Sequence, residues 1–315
     1  MKYKVLIPQN ITEIGRKYLE ENDCELIILD DPSKENICKN VVDCDAILAR
    51  TVEFGEEVFN YGKKLKVIAK HGVGYDNIDL KAAAKHNIKV CYTPQANAQS
   101  VAEHTLTLIL ACAKKLLLMD KLTRENKWEL RDPIKIMDIS GKTLGIIGYG
   151  KTGKLVAKKA ALGFDMNVLV LRHHPGKGDL PDYVKECYDL DEIFQKSDFI
   201  SLHAPLTDET TNLVNTKRLN MMKPTAYIIN TSRGAEVDED ALYNALKEGT
   251  IAGAGLDVFV KEPAINNKLF ELDNVIVSPH NAAHTIESMN NMGLQAAIGI
   301  IEVLNGKEPT WPVKY

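Results

Sequence analysis

Short apolar runs rich in β-branched residues alternate with amphipathic segments along almost the whole chain, and this alternation limits the possible folds more than any other feature. Runs at 4–7, 26–29, 46–49, 67–69 and 89–91 predict one series of buried strands, and runs at 143–147, 167–171, 199–202, 227–230, 253–257 and 275–277 predict a second. Segments such as 14–21 and 80–86 carry apolar residues at helical spacing. Because strand–helix alternation makes right-handed βαβ crossovers, each series predicts a parallel sheet covered on both faces. The predicted fold class is α/β, with two Rossmann-like or flavodoxin-like parallel-sheet domains.

Two long helical segments predict where one domain gives way to the other. Ser100 and Glu103 have the spacing of a capping box that opens an apolar helix over 100–121. A second long helix is predicted over 285–305, with Gly306 as its C-terminal stop. Each crossing between the domains would use one of these helices. We therefore expect an outer domain made of 1–100 plus 284–315 and an inserted domain over 101–283.

Composition excludes several classes of protein. The 315 residues are 45% hydrophobic and 26% charged, which is typical of soluble globular proteins and not of disordered chains. A net charge of −4 provides no general basic field for nucleic acid or an anionic membrane. No apolar run approaches the ~20 residues that span a bilayer. The six cysteines are scattered without CxxC spacing, so we predict no metal site and a reducing, cytoplasmic location.

The strongest local signal is a glycine motif directly after the 143–147 strand. Gly148, Gly150 and Gly153 form GxGxxG between that strand and an amphipathic helix. The first glycine permits a tight turn, the second lets the backbone approach a pyrophosphate, and the third allows close packing of helix and strand. The helix N-terminus adds partial positive charge. This context predicts that the inserted domain binds a dinucleotide.

The end of the next strand bears on which dinucleotide is used. In NAD-binding folds an acidic residue there accepts bonds from the ribose hydroxyls. Here the strand is followed by Arg172, with Lys177 close by, and a guanidinium suits a 2′-phosphate instead. We therefore expect NADP(H) to be favoured, with NAD(H) possible if Arg172 points to solvent. If the strand register shifts by one residue, His173 meets the ribose.

Three polar segments follow successive strands of the second series, at the edge where open α/β sheets bind ligands. They contribute Arg233, Glu262 and His280. A histidine can protonate a carbonyl oxygen near neutral pH, a neighbouring carboxylate favours its charged form, and an arginine can hold a substrate carboxylate bidentately. Together they predict reduction of a carbonyl beside a carboxylate.

The ordered motifs identify the chain by resemblance. They read GVGYDNID at 72–79, SVAEH at 100–104, GYGKTG at 148–153, HAPL at 203–206, NTSRG at 230–234, GLDVF at 255–259 with EP at 262–263, and SPH at 278–280. Over essentially its whole length the sequence resembles the D-isomer-specific 2-hydroxyacid dehydrogenases. That resemblance implies that 101–283 is the NAD(P)-binding domain and that 1–100 plus 284–315 is the substrate domain.

The resemblance also implies residue roles. Arg233, Glu262 and His280 are expected to be catalytic, and Val73 and Gly74 are expected to meet the substrate carboxylate together with Arg233 and His280. Asp257 is expected to bond the nicotinamide carboxamide. The remaining implied cofactor contacts are Thr93, Gly148, Gly150, Lys151, Thr152, Gly153, Arg172, His203, Pro205, Thr231, Ser232 and His280. A homodimer built around the 100–121 helix region is implied as well.

These observations favour an NADP(H)-linked reductase of a small 2-keto acid, such as glyoxylate or hydroxypyruvate, that forms the D-2-hydroxy acid. One alternative is an NAD-dependent D-3-phosphoglycerate dehydrogenase, since the segments at 72–79 and 100–104 are similar to that branch and Lys70 or His71 could meet a phosphate. Arg172 argues against it. A further alternative is a non-catalytic, dinucleotide-sensing protein like the corepressors that share this fold, because fold alone does not decide function.

Overall fold

The structure is a computed structural model that describes residues 2–174, 176, 178 and 180–314, so Lys177 lies outside the described residues. The chain divides into two compact units. Unit 1 comprises Met1–Ala98 and Ala283–Tyr315, and unit 2 comprises Gln99–Ala282. Unit 2 is thus one continuous segment whose two ends both join unit 1.

Unit 1 is a five-stranded parallel sheet in the order β2-β1-β3-β4-β5, which is the flavodoxin-like order. The strands are β1 (Tyr3–Ile7), β2 (Cys24–Ile28), β3 (Ala46–Ala49), β4 (Val67–Lys70) and β5 (Lys89–Cys91). The helices are α1 (Glu13–Glu21), α2 (Lys34–Asn40), α3 (Glu56–Tyr61), α4 (Leu80–Lys85) and, from the C-terminal segment, α11 (Ile286–Leu304). Helices α1 and α11 cover one face, and α2, α3 and α4 cover the other. Burial on both faces explains why these strands are almost continuously apolar.

Unit 2 is a seven-stranded parallel sheet in the order β12-β11-β10-β9-β6-β7-β8. Its strands are β6 (Thr143–Ile147), β7 (Asn167–Leu171), β8 (Val184–Cys187), β9 (Phe199–Leu202), β10 (Tyr227–Asn230), β11 (Gly253–Leu256) and β12 (Val275–Val277). Its helices are α5 (Ala98–Ala113), α6 (Leu116–Arg124), α7 (Lys151–Phe164), α8 (Leu190–Lys196), α9 (Thr216–Leu219) and α10 (Glu239–Lys247). From β6 the next strands, β7 and β8, are added toward one edge of the sheet, and β9 to β12 are then added toward the other edge. Open sheets bind ligands at such a topological switch point, which here lies between β6 and β9. The predicted α/β class with two parallel sheets is confirmed.

Two sequence predictions need correction. The helix expected over 100–121 is two helices, because Lys115 adopts a left-handed conformation with φ +46° between α5 and α6. Ser100 does not cap the first of them: it lies inside α5, and its hydroxyl donates to the carbonyl of Ala282. The physical reason for the break is packing, because α5 buries an apolar face against the sheet and α6 buries no residue.

Strand β8 and helix α8 were not predicted. The 184–187 run contains Lys185 and Glu186, so it lacks the apolar character of the other strands. It forms the edge of the sheet, where one side of the strand has no neighbour. In contrast, α11 matches the predicted 285–305 helix closely: Thr285 caps its start, and Gly306 has φ +77° just after its end. No helix in the described part of the chain is both long and apolar enough to cross a membrane.

Candidate active site

The glycine loop between β6 and α7 has the geometry of a dinucleotide cradle. Gly148 has φ +96°, and a Cβ there would lie 2.5 Å from the backbone carbon of His203, so only glycine fits the turn. A Cβ on Gly153 would lie 2.2 Å from the carbonyl oxygen of Gly148, which shows how closely α7 packs on the loop. No atom of the described residues would lie within 4 Å of a Cβ on Gly150, so the backbone there is open to approach. The three positions fit the turn, the access and the packing that a pyrophosphate site requires.

The loop is braced by the next strand. The N–H of His203, directly after β9, donates to the carbonyl of Ile147 at 2.7 Å, and its Nε2 lies 2.8 Å from the Ser201 hydroxyl. Burial lowers the pKa of His203 to about 4, so this imidazole is neutral at physiological pH. Lys151 and Thr152 begin α7, and Pro205 follows β9. The Ser232 hydroxyl donates to the carbonyl of Ala204 at 2.7 Å, which ties the loop after β9 to the loop after β10.

Arg172 directly follows β7, as predicted for a strand that ends at Leu171. Its Nε lies 2.5 Å from Oε1 of Glu186 on the neighbouring strand β8, and both side chains are only about a tenth exposed, at 13% and 10%. Sequence reasoning missed Glu186 because β8 was not recognised. The available signal was weak: a single glutamate in a short run bounded by Val184 and Cys187.

A histidine and a glutamate form a direct pair after β11 and β12. His280 Nδ1 lies 2.7 Å from Glu262 Oε2, and the other oxygen of Glu262 accepts from the Phe259 N–H at 3.0 Å. Burial by itself would raise the pKa of Glu262, but the hydrogen bonds from His280 and from the Phe259 backbone outweigh it and hold that pKa below its ordinary value. Glu262 is therefore ionised at neutral pH and orients the imidazole so that Nε2 is left for proton transfer.

Arg233 belongs to the same edge of the sheet. It follows β10, which lies beside β11 and then β12. A Cβ on the adjacent Gly234 would lie 1.9 Å from the backbone carbon of Phe259, so the Arg233 loop packs directly on the loop that carries Glu262. The Arg233 guanidinium adds to the lowering of the Glu262 pKa, and its Nη1 donates to the carbonyl of Ser232 at 2.7 Å. The structure brings Arg233, Glu262 and His280 together on three adjacent strands.

Asp257 organises the segment that carries His280. It is fully buried, and its carboxylate accepts from the Ser278 hydroxyl at 2.6 Å and from the N–H groups of Asn281 and Ala282 at 2.9 Å each. Its carbonyl accepts from the His280 N–H at 2.8 Å. His280 is held in the left-handed region, with φ +51°. Sequence reasoning did not foresee this positioning role, and the carboxamide contact assigned to Asp257 stays a prediction.

Helix α5 contacts two loops of the site through its side chains. His104 Nε2 lies 2.9 Å from the Ser278 hydroxyl, and the hydroxyls of Thr105 and Thr231 lie 2.9 Å apart. These contacts join α5 to the loops after β10 and β12. The contact with Ser278 gives a structural role to His104 of the SVAEH motif. The spacing of that motif does not indicate which residue its histidine contacts.

Unit 1 holds the remaining predicted residues: Val73 and Gly74 lie in the loop after β4, and Thr93 lies just after β5. Gly72 has φ +145°, its N–H donates to the hydroxyl of Thr93 at 3.0 Å, and that hydroxyl donates to the Gly72 carbonyl at 3.1 Å. Thr93 is fully buried, whereas Val73 is 40% exposed. The loop therefore presents Val73 and Gly74 on a braced backbone. The substrate contact assigned to Val73 and Gly74 and the cofactor contact assigned to Thr93 stay predictions.

Lys70 and His71 are buried beside that loop. Lys70 donates to the carbonyl of Arg50 and, at 2.7 Å, to Oδ1 of Asn77, so it braces unit 1 internally. Burial, with Arg50 and Lys70 nearby, lowers the pKa of His71 to about 4. His71 is therefore uncharged at neutral pH in this structure.

Comparison with known proteins agrees with this geometry. Residues 106–282 match the sequence model of the D-isomer specific 2-hydroxyacid dehydrogenase NAD binding domain. A glyoxylate reductase of Korarchaeum cryptofilum is 39% identical over 317 residues, covering 98% of this chain and 95% of the relative. The chain belongs to the D-isomer-specific 2-hydroxyacid dehydrogenase family. The resemblance read from the motifs is thereby confirmed.

Two further proteins are similar to most of this chain. A hydroxypyruvate reductase of Thermotoga maritima is 40% identical over 276 residues, covering 86% of this chain and 88% of the relative. The structure of an NADPH-dependent glyoxylate/hydroxypyruvate reductase of Sinorhizobium meliloti, solved with NADP and malonate, aligns with a TM-score of 0.89 at 26% identity, covering 99% of this chain and 97% of the other. The present chain is an NAD(P)-dependent D-2-hydroxyacid dehydrogenase, and it acts on the CH–OH group of its substrate.

Proposed function

We propose that this dehydrogenase reduces a small 2-keto acid with NADP(H) as the preferred cofactor, either glyoxylate to glycolate or hydroxypyruvate to the D-2-hydroxy acid. The observation that carries the proposal is the His280–Glu262 pair, with 2.7 Å between Nδ1 and the carboxylate, on the edge that also carries Arg233. The names of the Korarchaeum and Thermotoga relatives support the choice of substrates.

Each catalytic residue has one task in this proposal. His280 delivers a proton from Nε2 to the carbonyl oxygen, and Glu262 stabilises the imidazolium and fixes its orientation through Nδ1–H. Arg233 holds the substrate carboxylate through its planar set of donors. The nicotinamide cofactor, when bound, supplies the hydride. In the oxidative direction His280 accepts the proton from the hydroxyl.

The preference for NADP(H) rests on Arg172 after β7, where a guanidinium suits a 2′-phosphate. The NADPH dependence of the Sinorhizobium relative supports it. Gly148, Gly150 and Gly153 with the first residues of α7 would hold the pyrophosphate. We propose NAD(H) as a second cofactor, because the carboxylate of Glu186 neutralises part of the positive charge of Arg172.

We further propose a cytoplasmic homodimer. All six cysteines are free and buried, which suits a reducing compartment. Large apolar side chains are exposed on one stretch of unit 2 that includes α6, and such exposed groups favour burial in an interface. These are Leu116, Leu117, Trp128 and Ile136.

The deciding experiment is a spectrophotometric panel with the purified chain. Glyoxylate, hydroxypyruvate and pyruvate are tested in reduction and 3-phosphoglycerate in oxidation, each with both cofactors. We expect the highest kcat/KM for glyoxylate or hydroxypyruvate with NADPH. A higher kcat/KM for 3-phosphoglycerate with NAD would favour the phosphoglycerate dehydrogenase alternative. Tight cofactor binding without turnover of any substrate would favour the dinucleotide-sensing alternative.

A further inference from the structure

The ion pair between Arg172 and Glu186 sits where the cofactor ribose is expected. In the parallel register of β7 and β8, Val170 lies beside Glu186. Arg172 is two residues beyond Val170, so its side chain leaves the sheet on the same face and reaches Glu186 diagonally. The carboxylate thus comes from the neighbouring strand and not from the end of β7, where NAD-binding folds commonly carry it.

Glu186 is the centre of a local network. Besides Nε of Arg172 at 2.5 Å, it accepts from the Gly176 N–H at 3.2 Å and from the Tyr188 hydroxyl at 3.0 Å. The hydrogen bond from Arg172 lowers the pKa of Glu186 to about 2, with burial opposing and the bonds from Gly176 and Tyr188 helping. The carboxylate is therefore ionised at neutral pH.

An ionised carboxylate in this position acts on the two cofactors in opposite ways. It repels the 2′-phosphate of NADP(H), and it neutralises part of the positive charge of Arg172 that would otherwise attract that phosphate. Toward NAD(H) it is an acceptor for ribose hydroxyls, which a guanidinium cannot be. We propose that Glu186 is a specificity-determining residue that limits the preference for NADP(H) and lets the enzyme use NAD(H) as well. This inference rests on the proposed cofactor role of Arg172.

The test measures binding of NADPH and NADH separately, by titration of their nicotinamide fluorescence, in the wild type and in Glu186→Gln. Glutamine keeps an acceptor oxygen for Arg172 and Gly176 but removes the charge. We expect the ratio of Kd for NADH to Kd for NADPH to rise about fivefold or more. A change in the ratio of less than twofold, or a fall, would overturn the inference and leave Glu186 with a structural role only.

Two variants complete the design. Glu192→Gln removes a carboxylate paired with Lys196 on α8 and serves as the charge-matched control, for which we expect an unchanged ratio. Arg172→Leu should lower the ratio; if it does not, the proposed role of Arg172 is wrong, and the inference fails with it. A wild type that binds neither cofactor would overturn the proposed function. If circular dichroism shows Glu186→Gln to be unfolded, Glu186→Ser is titrated in its place, under the same criteria.

Discussion

At the scale of single residues, His280 depends on contacts that are remote in sequence. Its backbone is held in the left-handed region by the Asp257 carbonyl, and its ring is held by Glu262. Left-handed backbone costs a non-glycine residue on the order of 1 kcal/mol, so the surrounding hydrogen bonds must offset that cost. The site therefore places the imidazole accurately at the expense of some local stability.

Removing the imidazole should abolish general acid catalysis. For His280→Ala we expect kcat for 2-keto acid reduction to fall about 10²–10⁴-fold, with the Kd for cofactor nearly unchanged. In Glu262→Gln the imidazole loses the carboxylate that contacts its Nδ1, so we expect kcat to fall in that variant as well. Stopped-flow and steady-state kinetics of both variants check this. An unchanged kcat in His280→Ala would contradict the assigned role.

Glu236 is a buried carboxyl beside Arg233. It is 1% exposed, its Oε2 accepts from the Arg233 N–H at 3.1 Å, and its Oε1 has no hydrogen-bond partner among the described residues. Burial raises its pKa from 4.5 to about 7, against the lowering effect of its contacts with Arg233 and Ser232. A carboxyl whose pKa is raised on folding destabilises the native state once it ionises, so stability falls as pH rises from about 4.5 to 7.

We therefore expect Glu236→Gln to be more stable than the wild type at pH 8, by about 3 kcal/mol from the shift in pKa. The advantage should shrink by more than half at pH 5, where the wild-type carboxyl is already protonated in the folded state. Urea unfolding of both proteins at the two pH values measures the difference. A stability difference that does not depend on pH would show that folding does not raise the pKa of Glu236.

At the scale of elements, the packing of α7 on the β6 loop sets the shape of the cofactor cradle. Two glycines in this helix have opposite surroundings. A Cβ added at Gly153 would lie 2.2 Å from the carbonyl oxygen of Gly148, whereas Gly163 is exposed and a Cβ there would meet no atom of the described residues within 4 Å. Helix α7 therefore has one glycine, Gly153, where an added methyl group would clash, and another, Gly163, that serves as the matched control.

We expect Gly153→Ala to displace α7, to weaken NADPH binding at least tenfold and to destabilise the fold by about 1–3 kcal/mol. Gly163→Ala should leave binding unchanged and stabilise the helix by about 0.5–1 kcal/mol, since alanine is the better helix former. Fluorescence titration and thermal unfolding of the two variants test this pair. Equal behaviour of both variants would contradict the packing described for Gly153.

The break between α5 and α6 belongs to the same scale. The apolar periodicity continues through Lys114 and Lys115, so local pattern alone predicts one helix. The N–H groups of Lys115 and Met137 bond the carbonyls of Cys112 and Ala113 and satisfy the end of α5. The end of this helix is thus decided by a partner that lies more than twenty residues away.

At the scale of the whole molecule, the exposed apolar side chains of the 116–136 stretch predict self-association. Light scattering after size exclusion should give about 70 kDa, twice the 35.0 kDa of the chain. A double variant, Leu117→Asp with Trp128→Asp, should elute as a monomer, because buried unpaired charges oppose an interface. Ile286→Asp, at a side chain that is 78% exposed on α11, should leave the dimer intact. A wild type that elutes at 35 kDa would refute the dimer.

The amino-acid sequence by itself was sufficient for the α/β class, for most of the strands, for the glycine loop at 148–153 and for Arg233, Glu262 and His280 as candidates. These depend on residue type and short-range spacing, which the chain carries locally. The edge strand β8 and the end of α5 were missed because they are decided by neighbours and not by local pattern.

Only the tertiary structure decided how the side chains are partnered. Arg172 forms an ion pair with Glu186, and the buried Glu236 accepts a hydrogen bond from the Arg233 N–H. The carboxylate of Asp257 accepts hydrogen bonds from Ser278, Asn281 and Ala282. Such pairings join strands that are distant in the chain, and a titratable side chain takes its charge state from whatever surrounds it after folding. Spacing along the sequence does not specify those surroundings, because they form only when the sheet order places one loop beside another.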